Sequence, residues 1–165
     1  MEQDGDMKEE EHGKRGKAVR ESVSFILYLI VIVVLTFLMI RYVGQRTRVD
    51  GSSMENTLTN GDNLIVDKIS YRFHEPERFD IIVFPYQYKE DTYFIKRIIG
   101  MPGETVQITD KGEILINGEE LVESYGREVI KDPGLASDPI TLGEDEYFVM
   151  GDNRNYSKDS RFPDV

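Results

Sequence analysis

Few side chains in this sequence can do covalent chemistry, and their types narrow the choice quickly. There is no Cys, which removes thiolate nucleophiles, cysteine-ligated zinc and disulfides together. Two histidines, His12 and His74, are too few for a multi-histidine metal site; neither a metal nor a cofactor is expected. A Ser-His-Asp site would have to use His74, which sits in the charged loop RFHEPER with no nucleophile motif beside it. Paired carboxylates could serve hydrolysis, but among 31 acidic residues some clustering arises by chance. What remains is a serine activated by a lysine held in its neutral form. A free lysine of pKa near 10.4 is unprotonated in only about one molecule in 2,500 at pH 7. Burial against an apolar wall lowers that pKa by ~3–5 units. Lys96, in TYFIKRII between Ile95 and Ile98, is the lysine placed for this. The alternative is an edge-strand lysine that blocks aggregation.

The elements that must carry such a site follow from the apolar pattern. From Val23 to Ile40 the chain reads VSFILYLIVIVVLTFLMI, with no charge. As a helix it is ~27 Å long, close to the ~30 Å hydrocarbon core of a bilayer. The run is too long for a cleavable leader, and RYVGQRT after it offers no small-x-small cleavage site. A lipid bilayer is therefore an expected partner. The expected organisation is a cytoplasmic tail over 1–22 without regular structure, a membrane anchor over 23–43, and an extracytoplasmic domain over 44–165. The orientation rests on Lys14, Arg15, Lys17 and Arg20 before the span against Arg41, Arg46 and Arg48 after it.

The domain reads as strands. Asn63–Asp67, Asp80–Pro85 and Thr92–Ile99 are short β-branched or aromatic runs bounded by turn residues. Thr105–Thr109 and Glu113–Ile116 flank the turn Asp110-Lys111-Gly112, and Asn117-Gly118 supplies a two-residue hairpin turn. Tyr147–Met150 is a last strand, and Asp132–Pro139 is a loop. No stretch beyond Val43 keeps a helical period. The fold class is mostly antiparallel β with one N-terminal transmembrane helix. With 20 Lys+Arg against 31 Asp+Glu, the formal charge of −11 argues against nucleic acid.

Three segments together carry a family resemblance: Gly51–Leu58 (GSSMENTL), Phe94–Glu104 (FIKRIIGMPGE) and Gly151–Arg161 (GDNRNYSKDSR). In this order, after an apolar span, they resemble the bacterial type I signal peptidases. These are membrane-anchored serine–lysine proteases that remove signal peptides from exported proteins. Gly61–Lys68 and Arg78–Phe84 extend the likeness to roughly residues 23–165, and the single-span layout looks like the Gram-positive branch. The resemblance implies a β-sheet catalytic domain, Ser53 as nucleophile and Lys96 as general base. It places Ser157 beside the lysine amine as a hydrogen-bond partner. Met54 would line the substrate cleft. Asp159, Arg161 and Arg97 match positions of a charged network behind the site. Ser53 can offer its own N–H to the oxyanion. Some relatives have a serine hydroxyl as second donor where this chain has Gly51, which leaves that donor open.

Two departures from the family pattern stand out. Asn56 replaces a proline, which pre-organises the turn less and is expected to cost little. Family members also continue into a further strand past SRFPDV, so the expectation is either a fragment of a longer, C-terminally continuing chain or a copy that lacks part of its sheet and has an exposed edge. The implied substrates are exported preproteins bearing signal peptides. Ser53 follows Val43 by ten positions, a reach of at most ~35 Å, so cleavage happens near the membrane surface. A precursor entering as an added strand would present alternate side chains to two shallow pockets, selecting a small-x-small site. Two other functions compete. One is a self-cleaving serine–lysine regulator, disfavoured by the anchor and the lack of a DNA-binding helical domain. The other is a non-enzymatic single-pass protein whose acidic domain docks a partner.

Overall fold

Among the described residues, short β-branched stretches broken by glycine-bearing turns leave no long helix beyond the N-terminal apolar one, and the strands pair in three small sheets. The computed structural model describes residues 3–163 and 165. The chain divides into two units, one holding residues up to Gln45 with Asp67–Ile69, the other Arg46–Val66 with Ser70–Val165.

The first unit is dominated by α1, Gln3–Tyr42. Its Val19–Tyr42 segment is long and apolar enough to cross a membrane, and none of the window's residues is buried. The residues expected as an unstructured tail continue this helix from Gln3. Glu, Lys, Arg, Met and Ala, which dominate residues 7–20, are strong helix formers, and an adjoining long helix removes the need for a separate nucleus. The dense mixed charge and the lack of apolar periodicity, which point to an unstructured tail, do not oppose a helix that is already nucleated next door.

The second unit carries most of the β structure. β1 (Gly44–Arg48) and β2 (Asn63–Asp67) form a two-stranded sheet. β3 (Ile81–Pro85), β4 (Tyr93–Gly100) and β9 (Phe148–Met150) form a second, ordered β3-β4-β9. The third joins β7 (Glu119–Glu120), β6 (Ile114–Ile116), β5 (Thr105–Ile108) and β8 (Ile140–Thr141). β1, β7 and β8 were not expected: each is too short or too polar to announce itself by alternation. Within Asp132–Pro139 lies one short 3₁₀ turn, Gly134–Ser137. Asn117 (φ 54°) and Gly118 (φ 85°) both take the positive φ of a type I′ turn, and Ile116 pairs with Glu119 across it.

β4 is the element that matters for chemistry. It pairs β3 on one side, with Ile82 opposite Lys96, and β9 on the other, with Arg97 opposite Met150. Being central, it is buried along Lys96–Gly100. The edge-strand reading of Lys96 is thereby excluded. Ile99 packs in the core with Val106, Ile108, Ile114, Phe148 and Met150. A Cβ at Gly100 would collide with the side chains of Val106 and Leu142 and press on Phe148 of β9, so glycine lets the strand pack closely there.

Candidate active site

Successive strand residues point to opposite faces, and β4 uses this to aim two cations in two directions. Phe94 and Lys96 share one face. Lys96 is 3% exposed. Its Nζ lies 3.0 Å from Ser53 Oγ and donates to the carbonyl of Ile95 at 3.0 Å. The Phe94 ring sits 4.8 Å from the same nitrogen and is itself stacked on Tyr86 at 4.5 Å. Burial against these walls lowers the Lys96 pKa from 10.5 to about 8, with the Asp159 carboxylate opposing the shift. At pH 7 about one amine in ten is then neutral, against about one in 2,500 for the free side chain.

Ser53 stands in a turn built by its own backbone. Glu55 N–H bonds Ser52 O, and both Thr57 N–H and Leu58 N–H bond Met54 O. Gly51, at φ 112°, opens the turn, and its N–H donates to Asn60 Oδ1. The Glu55–Asn56 peptide bond is cis. Among the described residues the Ser53 N–H has no hydrogen-bond partner, so it is open to an incoming oxyanion. A cleft of about 340 Å³ runs past this turn, lined among others by Gly51, Ser53, Met54, Val83, Ile95 and Lys96. A hydroxyl, a buried amine of lowered pKa and a free N–H at one cleft wall can together perform acyl transfer.

The family described as "Signal peptidase, peptidase S26" matches residues 21–165. The chain belongs to the S26 signal peptidase family. Signal peptidase I of Leptolyngbya laminosa is 44% identical over 128 residues, which cover 73% of this chain and 61% of that protein. Probable signal peptidase I-2 of Synechocystis is 40% identical, covering 73% of this chain and 56% of that one. Signal peptidase I of Bacillus amyloliquefaciens is 36% identical over 162 residues, covering 93% and 83%. The chain thus spans less than two thirds of the first two relatives.

Against the expectations drawn from the signal peptidase resemblance, the structure brings Ser53, Lys96, Gly51 and Met54 to one cleft. Ser157 differs. Its Oγ is buried and has no hydrogen-bond partner among the described residues, so the expected bond to Lys96 is not made. The hydroxyl instead packs against Gly151, where a Cβ would collide both with it and with Ser53 O. The charged network also divides differently. Asp159 takes Arg161 Nε and Nη2 at 2.8 and 2.9 Å and the Gly151 N–H at 3.1 Å. Arg97, on the other face of β4, pairs instead with Asp152, Nε to Oδ1 at 2.8 Å and Nη2 to Oδ2 at 2.6 Å. The same guanidinium donates to Phe79 O and lies over the Tyr125 ring. Asp152 also accepts from Thr57 Oγ1 at 2.5 Å. Asp152, Asn153 and Thr57 were not singled out from sequence. Gly-Asp-Asn reads as a turn, and nothing local signals that its side chains face residues a hundred positions away.

Among the described residues no group of His, Cys, Asp and Glu could hold a metal ion.

Proposed function

We propose that this chain is a membrane-anchored serine endopeptidase that removes N-terminal signal peptides from exported preproteins, with Ser53 as nucleophile and Lys96 as general base. The observation that carries the reading is the 3.0 Å Ser53 Oγ–Lys96 Nζ pair on a wall where the lysine pKa falls to about 8. As Ser53 Oγ attacks the scissile carbonyl carbon, the neutral Lys96 amine takes the hydroxyl proton. The oxyanion of the tetrahedral intermediate accepts from the Ser53 N–H. Collapse breaks the C–N bond, and the Lys96 ammonium returns its proton to the departing amine, leaving an ester on Ser53. Water then attacks that ester while Lys96 again accepts a proton; the bond from the acyl carbon to Oγ breaks, the new C-terminal carboxyl group leaves, and the Lys96 ammonium returns its proton to Ser53 Oγ. Arg97, Asp159 and Arg161 hold the scaffold. Ser157 packs against Gly151, in the space a Cβ there would fill.

The substrate follows from reach and shape. Ser53 lies ten positions after Val43, at most ~35 Å of chain, so the scissile bond must lie near a bilayer that α1 spans. The apolar segment of a preprotein holds such a bond there. A precursor laid as a strand along the cleft would turn alternate side chains toward Met54, Val83 and Ile95. That arrangement accommodates small residues at the first and third positions before the cut. In this reading the N-terminus is cytoplasmic and the β domain extracytoplasmic.

The test is cleavage of a lipid-embedded precursor by full-length protein. Ser53→Ala should lose about 10³-fold or more of the wild-type rate while still inserting into membranes. Wild-type activity in that variant refutes the assignment, and cleavage of the enzyme in place of the added precursor favours the self-cleaving alternative.

A further inference from the structure

The nucleophile turn is held from outside at two consecutive carbonyls, both by one residue. Asn153 donates its backbone N–H to Ser53 O at 3.0 Å and its side-chain Nδ2 to Ser52 O at 3.1 Å. It is 3% exposed, so its donors cannot exchange these two carbonyls for bulk water without a cost. The residues around it reinforce the grip. Asp152, one position earlier, accepts from Thr57 at the far end of the same turn. Gly151, one earlier still, lacks the Cβ that would push on Ser53 O. Asp152 also grips Arg97, the neighbour of Lys96. The segment 151–153 therefore contacts the nucleophile turn and the strand carrying the base at once. Of its contacts, the Asn153 pair is the one made directly to the nucleophile's own peptide groups.

We infer that Asn153 is a positioning residue for the reaction, a two-point clamp on the Ser52 and Ser53 carbonyls that keeps Ser53 Oγ within reach of Lys96 Nζ. The inference rests on the reading of Ser53 as nucleophile. The two donors divide the labour. The backbone bond fixes the height of Ser53, and the amide bond stops the Ser52–Ser53 peptide from rotating and swinging the Oγ away. A carbonyl left loose here lets the nucleophile turn sample positions in which the 3.0 Å approach is lost. Asn153 touches neither substrate nor the reacting atoms, so its loss should slow turnover without weakening substrate binding.

Two variants separate positioning from folding. Asn153→Asp keeps size and backbone donor but turns an oxygen toward the Ser52 carbonyl; Asn153→Ala deletes the side chain. Full-length proteins in detergent micelles are assayed on a synthetic peptide with an Ala-x-Ala cleavage site, at a pH where Lys96 is neutral. A displacement near 1 Å slows a positioned reaction about 10²-fold. Both variants should therefore lose roughly 30- to 100-fold in kcat, Asp more than Ala, with KM changing less than about threefold. Amide hydrogen exchange should accelerate over Ser52–Leu58 while Val106–Ile108 keep wild-type protection. Wild-type kcat in both variants overturns the clamp, and so does unchanged exchange over Ser52–Leu58. Exchange that rises equally in the core also overturns it, by making Asn153 merely structural. Ser53→Ala is run alongside. Activity there removes the nucleophile reading itself, whereas an inert Ser53→Ala beside fully active Asn153 variants removes the clamp alone.

Discussion

Replacing Lys96 with methionine should abolish cleavage and at the same time make the domain more stable at neutral pH. Methionine keeps an unbranched apolar stem of similar length and drops the charge. In the wild type, folding takes the ammonium from water to a site that is 3% exposed and lowers its pKa from 10.5 to about 8. At 1.36 kcal/mol per unit, that burial opposes folding by about 3 kcal/mol wherever both states are protonated. Because the folded state holds its proton less tightly than the unfolded state, the penalty is full below pH 8. It fades as pH rises from 8 to 10.5, where the unfolded chain still binds a proton that the folded one has released. Wild-type stability should thus climb relative to Lys96→Met by about 2–3 kcal/mol between pH 7 and 10, most of the penalty. Thermal or urea melts of both full-length proteins in micelles, followed by tyrosine near-UV circular dichroism, read this directly, since the chain has Tyr 9 and Trp 0. Taking the difference between the two proteins cancels every other titration they share. A pH-independent difference would mean that Lys96 is solvated or ion-paired in the folded state, and the account of its neutral amine would fail.

The activity should follow the same group: kcat/KM should drop about tenfold per pH unit below an acid limb centred near pH 8, since only the neutral amine accepts the Ser53 proton. A limb in the carboxylate range would point to a different base. Gly151→Ala places a Cβ against Ser53 O and Ser157 Oγ, so cleavage should fall about 10²-fold through displacement of the nucleophile, measured as initial rate beside a melt. Asp152→Ala strands the Arg97 guanidinium, whose side chain is 5% exposed, and should destabilise the domain by about 3–5 kcal/mol in a urea melt. A loss below 1 kcal/mol there would show that Phe79 O, Thr57 Oγ1 and the Tyr125 ring satisfy the arginine without the carboxylate.

Much of this protein is legible along the chain. An uncharged apolar run is a statement about solvent, so the anchor needs no partner to be recognised. The type I′ turn at Asn117-Gly118 is equally local, because only residues that tolerate positive φ can form it. Lys96 was visible as a cation in an apolar strand, and Ser53 through a motif in order with two others. What the chain could not reveal is set by neighbours distant in sequence. Whether Lys96 is wet or dry depends on β4 lying between β3 and β9, since only a central strand loses water on both edges. The 3.0 Å approach of Ser53, 43 positions upstream, exists only once the sheet and the nucleophile turn are packed together. Arg97 and Arg161 looked alike as charges, yet the alternation of β4 sends Arg97 to Asp152 while Asp159 takes Arg161. The Gly-Asp-Asn turn carries the same limit: local backbone chemistry predicts its bend, while the tertiary fold alone aims its amide and carboxylate at the nucleophile turn. Hydropathy and turn geometry are properties of neighbours in sequence. Proton affinity and catalytic distance belong to neighbours in space.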